Sequence, residues 1–332
     1  MASDRSSRVL PRIPLTQVPT PVEHVPALSA PGSALWVKRD DLTHHVYGGN
    51  KVRKLEYLLA EARAQGGRRL VTIGTVGSHH VLATAYFGAQ AGFEVEAVLV
   101  PQPRTEHVIE VLRAGLGLGL RAYPVRSWAA APAAVLARVL AGARLVALGG
   151  SSATGTRGYV DAGHELAAQV REGAMPEPDV CVVALGSGGT AAGLAVGFAA
   201  AGLRTRVVGV CVSAPTWALR RSAEHLARAS GRDARVTGVR LAGDGRFLGA
   251  GYGSRTDEGD EATALAGAHA GLDLDPTYTA KVFACALWFV RARQARTVLY
   301  WHTLSSAPMA PLLEGAPEEG QIPTRLLNLA LP

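Results

Sequence analysis

The chain has 332 residues, 48% of them hydrophobic, with 38 glycines, which excludes a disordered chain and allows a large core with many tight turns. Its formal charge is +7, yet the arginines are scattered among acids, with no long basic run and no interleaved aromatics. No nucleic-acid partner is therefore expected, and the surplus charge suits a soluble surface that favours anionic small molecules.

Residues 1–34 are rich in Pro and Ser and are expected to wrap the surface without much regular structure. Met1 to Arg12 lacks the apolar core of a secretory signal. Leu35-Trp36-Val37-Lys38 reads as a strand, followed by the acidic pair Asp40-Asp41. Next comes Gly48-Gly49-Asn50-Lys51-Val52-Arg53-Lys54, opening a helical pattern with Leu55, Leu58 and Leu59 on one face. A lysine beside two glycines at a helix opening lets backbone approach closely while a flexible amine reaches into a cleft. Alone, the same pattern also describes a plain loop with a solvated lysine.

A short buried strand is predicted at 70–74, a polar turn at 75–80 and a helix at 81–91. A strand at 95–100 and a helix at 106–114 follow, then a β-α-β passage through 122–125, 133–140 and 145–148. Beyond Gly149-Gly150-Ser151-Ser152, a helix is expected from Gly158 to about Arg171. Strands at 179–185 and 206–212 flank a helix at 190–201; helices at 216–229, 258–270 and 277–292 and a strand at 297–301 complete the pattern. Strands alternating with helices predict an α/β protein with mainly parallel sheets. The run 180–203 is uncharged and long enough for a membrane span, but Gly186-Ser187-Gly188-Gly189-Thr190 in its middle favours strand, loop and helix, so no membrane segment is expected. Cys181, Cys211 and Cys285 lie in apolar runs without C-x-x-C spacing and read as reduced core residues of a cytoplasmic protein.

Two turns carry chemical potential of their own. Gly186 to Thr190 joins an apolar strand to a helix, so its amides and the helix amino terminus can hold a phosphate; the Walker lysine and the G-x-G-x-x-G fingerprint are both absent. Ser78-His79-His80 offers a hydroxyl and two imidazoles, but adjacent histidines on a turn rarely chelate one ion without further ligands, and no metal is expected.

"KRDDL" followed by "GGNKVRKLEYLL" resembles the cofactor-lysine motif of pyridoxal-phosphate enzymes of the tryptophan-synthase-β type, fold type II. Within that group the chain is most similar to the 1-aminocyclopropane-1-carboxylate deaminase and D-cysteine desulfhydrase family, from about Pro14 to Ser305. The resemblance implies pyridoxal 5'-phosphate as cofactor, Lys51 as its anchoring lysine beside Asn50, and Lys54 as a phosphate contact, although Lys54 alone reads equally well as an exposed lysine at a helix start. "ALGSGGTAAGL" is similar to the family's phosphate cup, Gly186, Ser187, Gly188, Gly189 and Thr190 here. Ser78, His79 and His80 fall on the block that holds the substrate carboxylate and the cofactor's phenolic oxygen; His79 stands where the family has Asn. Tyr252, in Gly249-Ala250-Gly251-Tyr252-Gly253, and Tyr278, in Asp275-Pro276-Thr277-Tyr278-Thr279-Ala280-Lys281, resemble its two active-site tyrosine loops. "YWHTLS" is similar to the family's "FIHTGG", which puts Thr303 at the pyridine nitrogen and Leu304 and Ser305 in place of two glycines, while His302 reads as a satisfied strand-end histidine.

The implied plan is a two-domain homodimer subunit: a larger cofactor-binding lobe from 1–50 and 165–332, a smaller inserted α/β lobe from 51–164, and the site in the cleft between them. Ring-opening deaminases pair Glu after the second tyrosine with Leu after the late histidine, whereas desulfhydrase-like members have Thr at both. Thr279 and Thr303 imply a lyase that eliminates a β-substituent from a small amino acid such as D-cysteine, releasing pyruvate and ammonia, with Lys51, Ser78, Tyr252 and Tyr278 in catalysis and Ser78, His79, His80 and Thr279 on the substrate. His79, Ala280, Leu304 and Ser305 depart from the usual pattern and keep open β-replacement, racemisation, a specialised biosynthetic step, or a cofactor-binding protein without turnover.

Overall fold

The computed structural model describes residues 11–213, 215–231 and 237–331; most of the amino-terminal stretch read above for a signal lies outside the described residues. In chain order the elements are β1 (Val22–His24), β2 (Ala34–Arg39), α1 (Asn50–Ala64), β3 (Arg69–Thr75), α2 (His79–Gln90), β4 (Glu94–Val100), β5 (Gln102–Pro103), α3 (Glu106–Gly117), β6 (Arg121–Pro124), α4 (Ala131–Leu140) and β7 (Arg144–Leu145). Then come α5 (Ala153–Arg171), β8 (Val180–Leu185), α6 (Gly189–Ala200), β9 (Arg206–Cys211), α7 (Thr216–Gly231), β10 (Leu241–Asp244), α8 (Asp257–Ala270), α9 (Thr279–Arg291) and β11 (Thr297–His302). Short α10 (Ala310–Leu313), α11 (Thr324–Leu327) and β12 (Ala330–Leu331) end the fold.

Two sheets organise these elements. One has six strands in the order β1-β2-β11-β8-β9-β10, parallel except for antiparallel β1. The other has four, β6-β4-β3-β7, all parallel, and its strands lie in sequence between β2 and β8. Parallel strands need helical crossovers, which cover both faces, so β4 and β8 read as near-continuous apolar runs. The chain is thus an α/β protein with mainly parallel sheets flanked by helices.

Three details differ from the sequence expectation. Residues 22–24, expected to be irregular, form β1 because Glu23 and its neighbours pair with Trp36, Val37 and Lys38 at the sheet edge. Helix α5 starts five residues before Gly158, because Ser152 Oγ accepts from Gly155 N–H at 3.1 Å and caps it there. The carboxyl-terminal segment does not pack with the six-stranded sheet as a 165–332 lobe would have it. Leu312, Ile322, Leu326 and Leu329 join the core under the four-stranded sheet, and β12 pairs with β5.

Beneath α1 lies a buried polar cluster. Asp40, fully buried, accepts from Arg53 Nε (3.0 Å) and Nη2 (2.8 Å), Thr20 Oγ1 (2.9 Å), Tyr159 Oη (2.7 Å) and Trp301 Nε1 (2.7 Å). Arg53 also pairs with Glu165, which takes Lys38 Nζ at 2.6 Å. The cluster ties α1, α5, β2 and β11 together, and α1 is the helix that opens with Lys51. No helix among the described residues is long and apolar enough to cross a membrane.

Candidate active site

The turn before α1 is set by two glycines in close quarters. A Cβ on Gly48 would overlap the Asp41 carbonyl, and one on Gly49, at φ +87°, would lie 2.5 Å from Thr303 O. Gly49 N–H donates to Asp40 O (2.9 Å), Asn50 N–H to Thr303 O (3.1 Å) and Gly48 N–H to Ser305 Oγ (2.9 Å). Ser305, where the family has glycine, therefore ties the loop after β11 to the lysine turn. Lys51 Nζ donates to Asn50 Oδ1 at 2.6 Å, and Asn50 Nδ2 donates to Thr190 Oγ1 at 3.1 Å, which links the lysine to the start of α6.

Lys54, one turn further along α1, is buried and donates to Gly149 O (3.0 Å) and Ser151 Oγ (3.3 Å). Ser151 Oγ is 2.7 Å from Ser187 Oγ and accepts from Gly189 N–H at 3.1 Å. A Cβ on Gly189 would come within 2.6 Å of Ser151 Oγ and 3.2 Å of Lys54 Nζ, and Gly188 sits at φ +98°. The turn from Gly186 to Thr190 is thus a glycine cradle at a helix amino terminus, with a lysine amine beside it.

Neither site lysine forms an ion pair among the described residues, although both amines lie inside the protein. Burial brings the Lys51 amine down to about 8, with Asp275 acting against the shift. Burial and the neighbouring Lys51 charge hold Lys54 well below its ordinary value. Two buried amines beside a glycine cradle fit a dianionic phosphate and a carbonyl that reacts with an unprotonated lysine. Since the neutral amine is the nucleophile, capture of pyridoxal phosphate by cofactor-free protein is expected to speed up as pH rises through about 8 and to level off above it. Stopped-flow absorbance checks this; a rate flat across that range would contradict it.

A second helix start has the donors to receive an anion. Ser78 is the N-cap of α2 and accepts from Val81 N–H at 3.4 Å, leaving its own proton and the first-turn amides of α2 to donate. His79 and His80 diverge. His80 Nε2 is 2.8 Å from Thr72 Oγ1, which donates its proton to Val146 O, so His80 carries its hydrogen on Nε2 and its buried Nδ1 has no partner among the described residues. Burial, with Lys51 and Lys54 adding to it, keeps His80 neutral. His79 lies against Tyr47 Oη (2.6 Å from Nδ1) and His107 Nε2 (3.1 Å from Nε2). Both ring nitrogens are engaged, and neither is left for the hydrogen bond to the cofactor's phenolic oxygen implied for this position. No group of three or more His, Cys, Asp or Glu side chains among the described residues is placed to hold a metal.

Tyr252 and Tyr278 meet, with hydroxyls 2.9 Å apart. Lys281 joins their loops by donating to Leu248 O (2.7 Å) and Gly251 O (2.9 Å). Thr279 is buried at the start of α9 and its Oγ1 donates to Asp275 Oδ2 at 2.8 Å, while Asp275 also accepts from the amides of Thr277, Tyr278 and Thr279. It therefore shapes the loop instead of offering a free hydroxyl to a substrate. The Thr303 hydroxyl takes no partner among the described residues, and His302 is satisfied by Tyr300 Oη at 2.8 Å.

Residues 13–303 match the sequence family described as pyridoxal-phosphate dependent enzyme. The chain belongs to that family. Its enzyme character, its cofactor and its fold type II architecture follow from that membership and from the lysine site. The chain is 34% identical over 304 residues to a provisionally named 1-aminocyclopropane-1-carboxylate deaminase of Pyrococcus furiosus, spanning 88% of this chain and 91% of that one. It is 35% identical over 288 residues to the D-cysteine desulfhydrase of Salmonella paratyphi A, spanning 82% and 87%. A crystal structure of an ACC deaminase homologue superposes with a TM-score of 0.79 at 27% identity, covering 92% and 97%.

Sequence reasoning assigned no site role to Ser151, Tyr47, His107 and Asp275, although Ser151 and Asp275 lie within stretches singled out there. Asp275 carried a local signal, an Asp four residues before a Thr at a helix start. The others meet the site only through the fold.

Proposed function

We propose that the protein is a pyridoxal-phosphate-dependent lyase that eliminates a β-substituent from a small amino acid, D-cysteine or a chlorinated analogue being the first candidates. The observation that carries this reading is the pair of buried lysine amines, with Lys51 linked through Asn50 to the start of α6 and Ser78 opening α2 nearby in the sequence. The bound cofactor supplies an electron sink that makes the amino acid's α-hydrogen acidic. Lys54, Ser151 and the amides of 187–190 would hold its phosphate. Ser78 and the first turn of α2 bind and orient the substrate carboxylate. Lys51 would move the α-proton, the Tyr252–Tyr278 hydroxyl pair would protonate the leaving group, and the Thr303 hydroxyl would help hold the cofactor at its ring nitrogen.

Ring opening of a cyclopropane amino acid is disfavoured. The position after Tyr278 holds a hydroxyl committed to Asp275 in place of a carboxylate, and Thr303 replaces the leucine. We also propose that the two sheets mark two lobes with the site between them, the carboxyl-terminal segment returning to the smaller one, that the subunit pairs as a homodimer, and that its three buried free cysteines belong in a reducing, cytoplasmic setting. The test is product identity across D- and L-amino acids bearing β-leaving groups. Elimination gives pyruvate, ammonia and the leaving group, sulfide from D-cysteine. An inverted amino acid with no pyruvate would replace the reading with racemisation.

A further inference from the structure

Four side chains form a hydrogen-bonded file from the loop just before the lysine turn to the surface. Tyr47 is 3% exposed and stands four residues before Lys51. Its hydroxyl lies 2.6 Å from His79 Nδ1, His79 Nε2 lies 3.1 Å from His107 Nε2, and His107 Nδ1 lies 3.3 Å from Glu110 Oε2. The outer two side chains are 49% and 35% exposed.

The polarity of the file follows from its inner end. The Tyr47 hydroxyl has no other hydrogen-bond partner among the described residues, and burial raises its phenol above the ordinary value, so it keeps its proton and donates to His79 Nδ1. A neutral His79 then carries its hydrogen on Nε2 and donates to His107 Nε2. His107 in turn carries its hydrogen on Nδ1 and donates to Glu110. Every hydrogen points outward. Burial brings His79 down to about 4, with the neighbouring His107 and Lys51 reinforcing that shift and Asp275 opposing it, so the ring stays neutral near pH 7. The charged groups facing the file are therefore Lys51 and Asp275 on the inside and Glu110 on the outside.

We propose that Tyr47, His79, His107 and Glu110 form a proton relay between the reaction centre and solvent. The proposal rests on reading the site as a reaction centre in which Lys51 takes up the substrate's α-proton. A proton arriving from that centre adds to Tyr47 Oη as the original Tyr47 proton passes to His79 Nδ1. The His79 Nε2 proton passes to His107 Nε2, and the His107 Nδ1 proton to the Glu110 carboxylate, which releases it to water. One proton enters and one leaves, and both imidazoles end neutral in the opposite tautomer. Return of the rings to the starting tautomer resets the file. Histidine at position 79 thus acts through its neighbours and not by contact with the cofactor.

Two measurements test this, and only one needs a substrate. Nitrogen-15 NMR of the histidine rings in cofactor-free protein is expected to show His79 protonated on Nε2 and His107 on Nδ1, with Tyr47→Phe converting His79 to a tautomer mixture. With whichever amino acid is turned over, His107→Ala is expected to lower kcat about 10²-fold with KM little changed, and added imidazole to restore the rate in proportion to its concentration. His79 protonated on Nδ1 in the cofactor-free protein would overturn the relay whatever the substrate proves to be. So would wild-type kcat and an unaltered pH profile in His107→Ala. Loss without imidazole rescue would reduce His107 to a packing role and overturn it as well.

Discussion

Lys51→Ala is expected to lose the visible absorption band of the bound cofactor and to slow product formation by about 10⁴-fold. The amine has two duties, anchoring the cofactor and moving the α-proton, and no second group among the described residues is placed to replace it. Lys54 is the nearest lysine in sequence, but its amine is committed to Gly149 O and Ser151 Oγ on the cradle side. The two buried amines repel each other, so removing one leaves the phosphate cradle intact while the chemistry stops. Steady-state product assays and difference spectra check this. A variant that keeps both the band and more than about a tenth of the wild-type rate would contradict it.

Asp40→Ala is expected to destabilise the fold by about 3–5 kcal/mol, because it leaves Arg53 buried with only Glu165 to answer it. Burial opposes the charge on Asp40, but Arg53, Lys38 and the Trp301 donor outweigh it and hold the carboxyl below its ordinary value. A carboxyl depressed in the folded state stabilises above its unfolded pKa of about 3.9, and that contribution is lost as pH falls through the folded value. The gap between wild type and variant should therefore be full near neutrality and narrow in acid below about pH 4. Denaturant melts at several pH values measure it. A neutral-pH difference under about 1 kcal/mol would show that the cluster is not what sets α1 in place. Arg53 lies two residues from Lys51, so cofactor retention should weaken alongside stability.

Much of the site was legible because its chemistry is contiguous in sequence. The lysine turn and the glycine cradle each sit at a strand-to-helix junction, where backbone geometry demands glycine and apolar periodicity marks the flanking elements. Both open helices in the fold, at Asn50 and Gly189. The histidine file was not legible. Tyr47, His79 and His107 come from a loop and two different helices, and no spacing rule joins them. His79 could be seen to depart from the family's asparagine, but only the fold shows both of its nitrogens already engaged. Thr279 illustrates the same limit from the other side: its place in the motif implied a substrate contact, whereas in the fold its hydroxyl donates to Asp275. In the fold, short β1 escaped notice because three residues carry no usable period. The carboxyl-terminal return to the four-stranded sheet escaped because Leu326 and Leu329 look like any apolar pair until the fold sets α11 beside β6 and Leu329 O accepts from Gln102 N–H.

Lys51 is proposed as the amine that holds pyridoxal phosphate. Borohydride reduction of the cofactor-loaded protein, followed by peptide mass mapping, tests it most directly, because reduction makes the lysine linkage permanent. A single reduced-cofactor adduct is expected on the peptide bearing Lys51, absent from Lys51→Ala. An adduct on Lys54 or another lysine, or none after loading with excess cofactor, would contradict it.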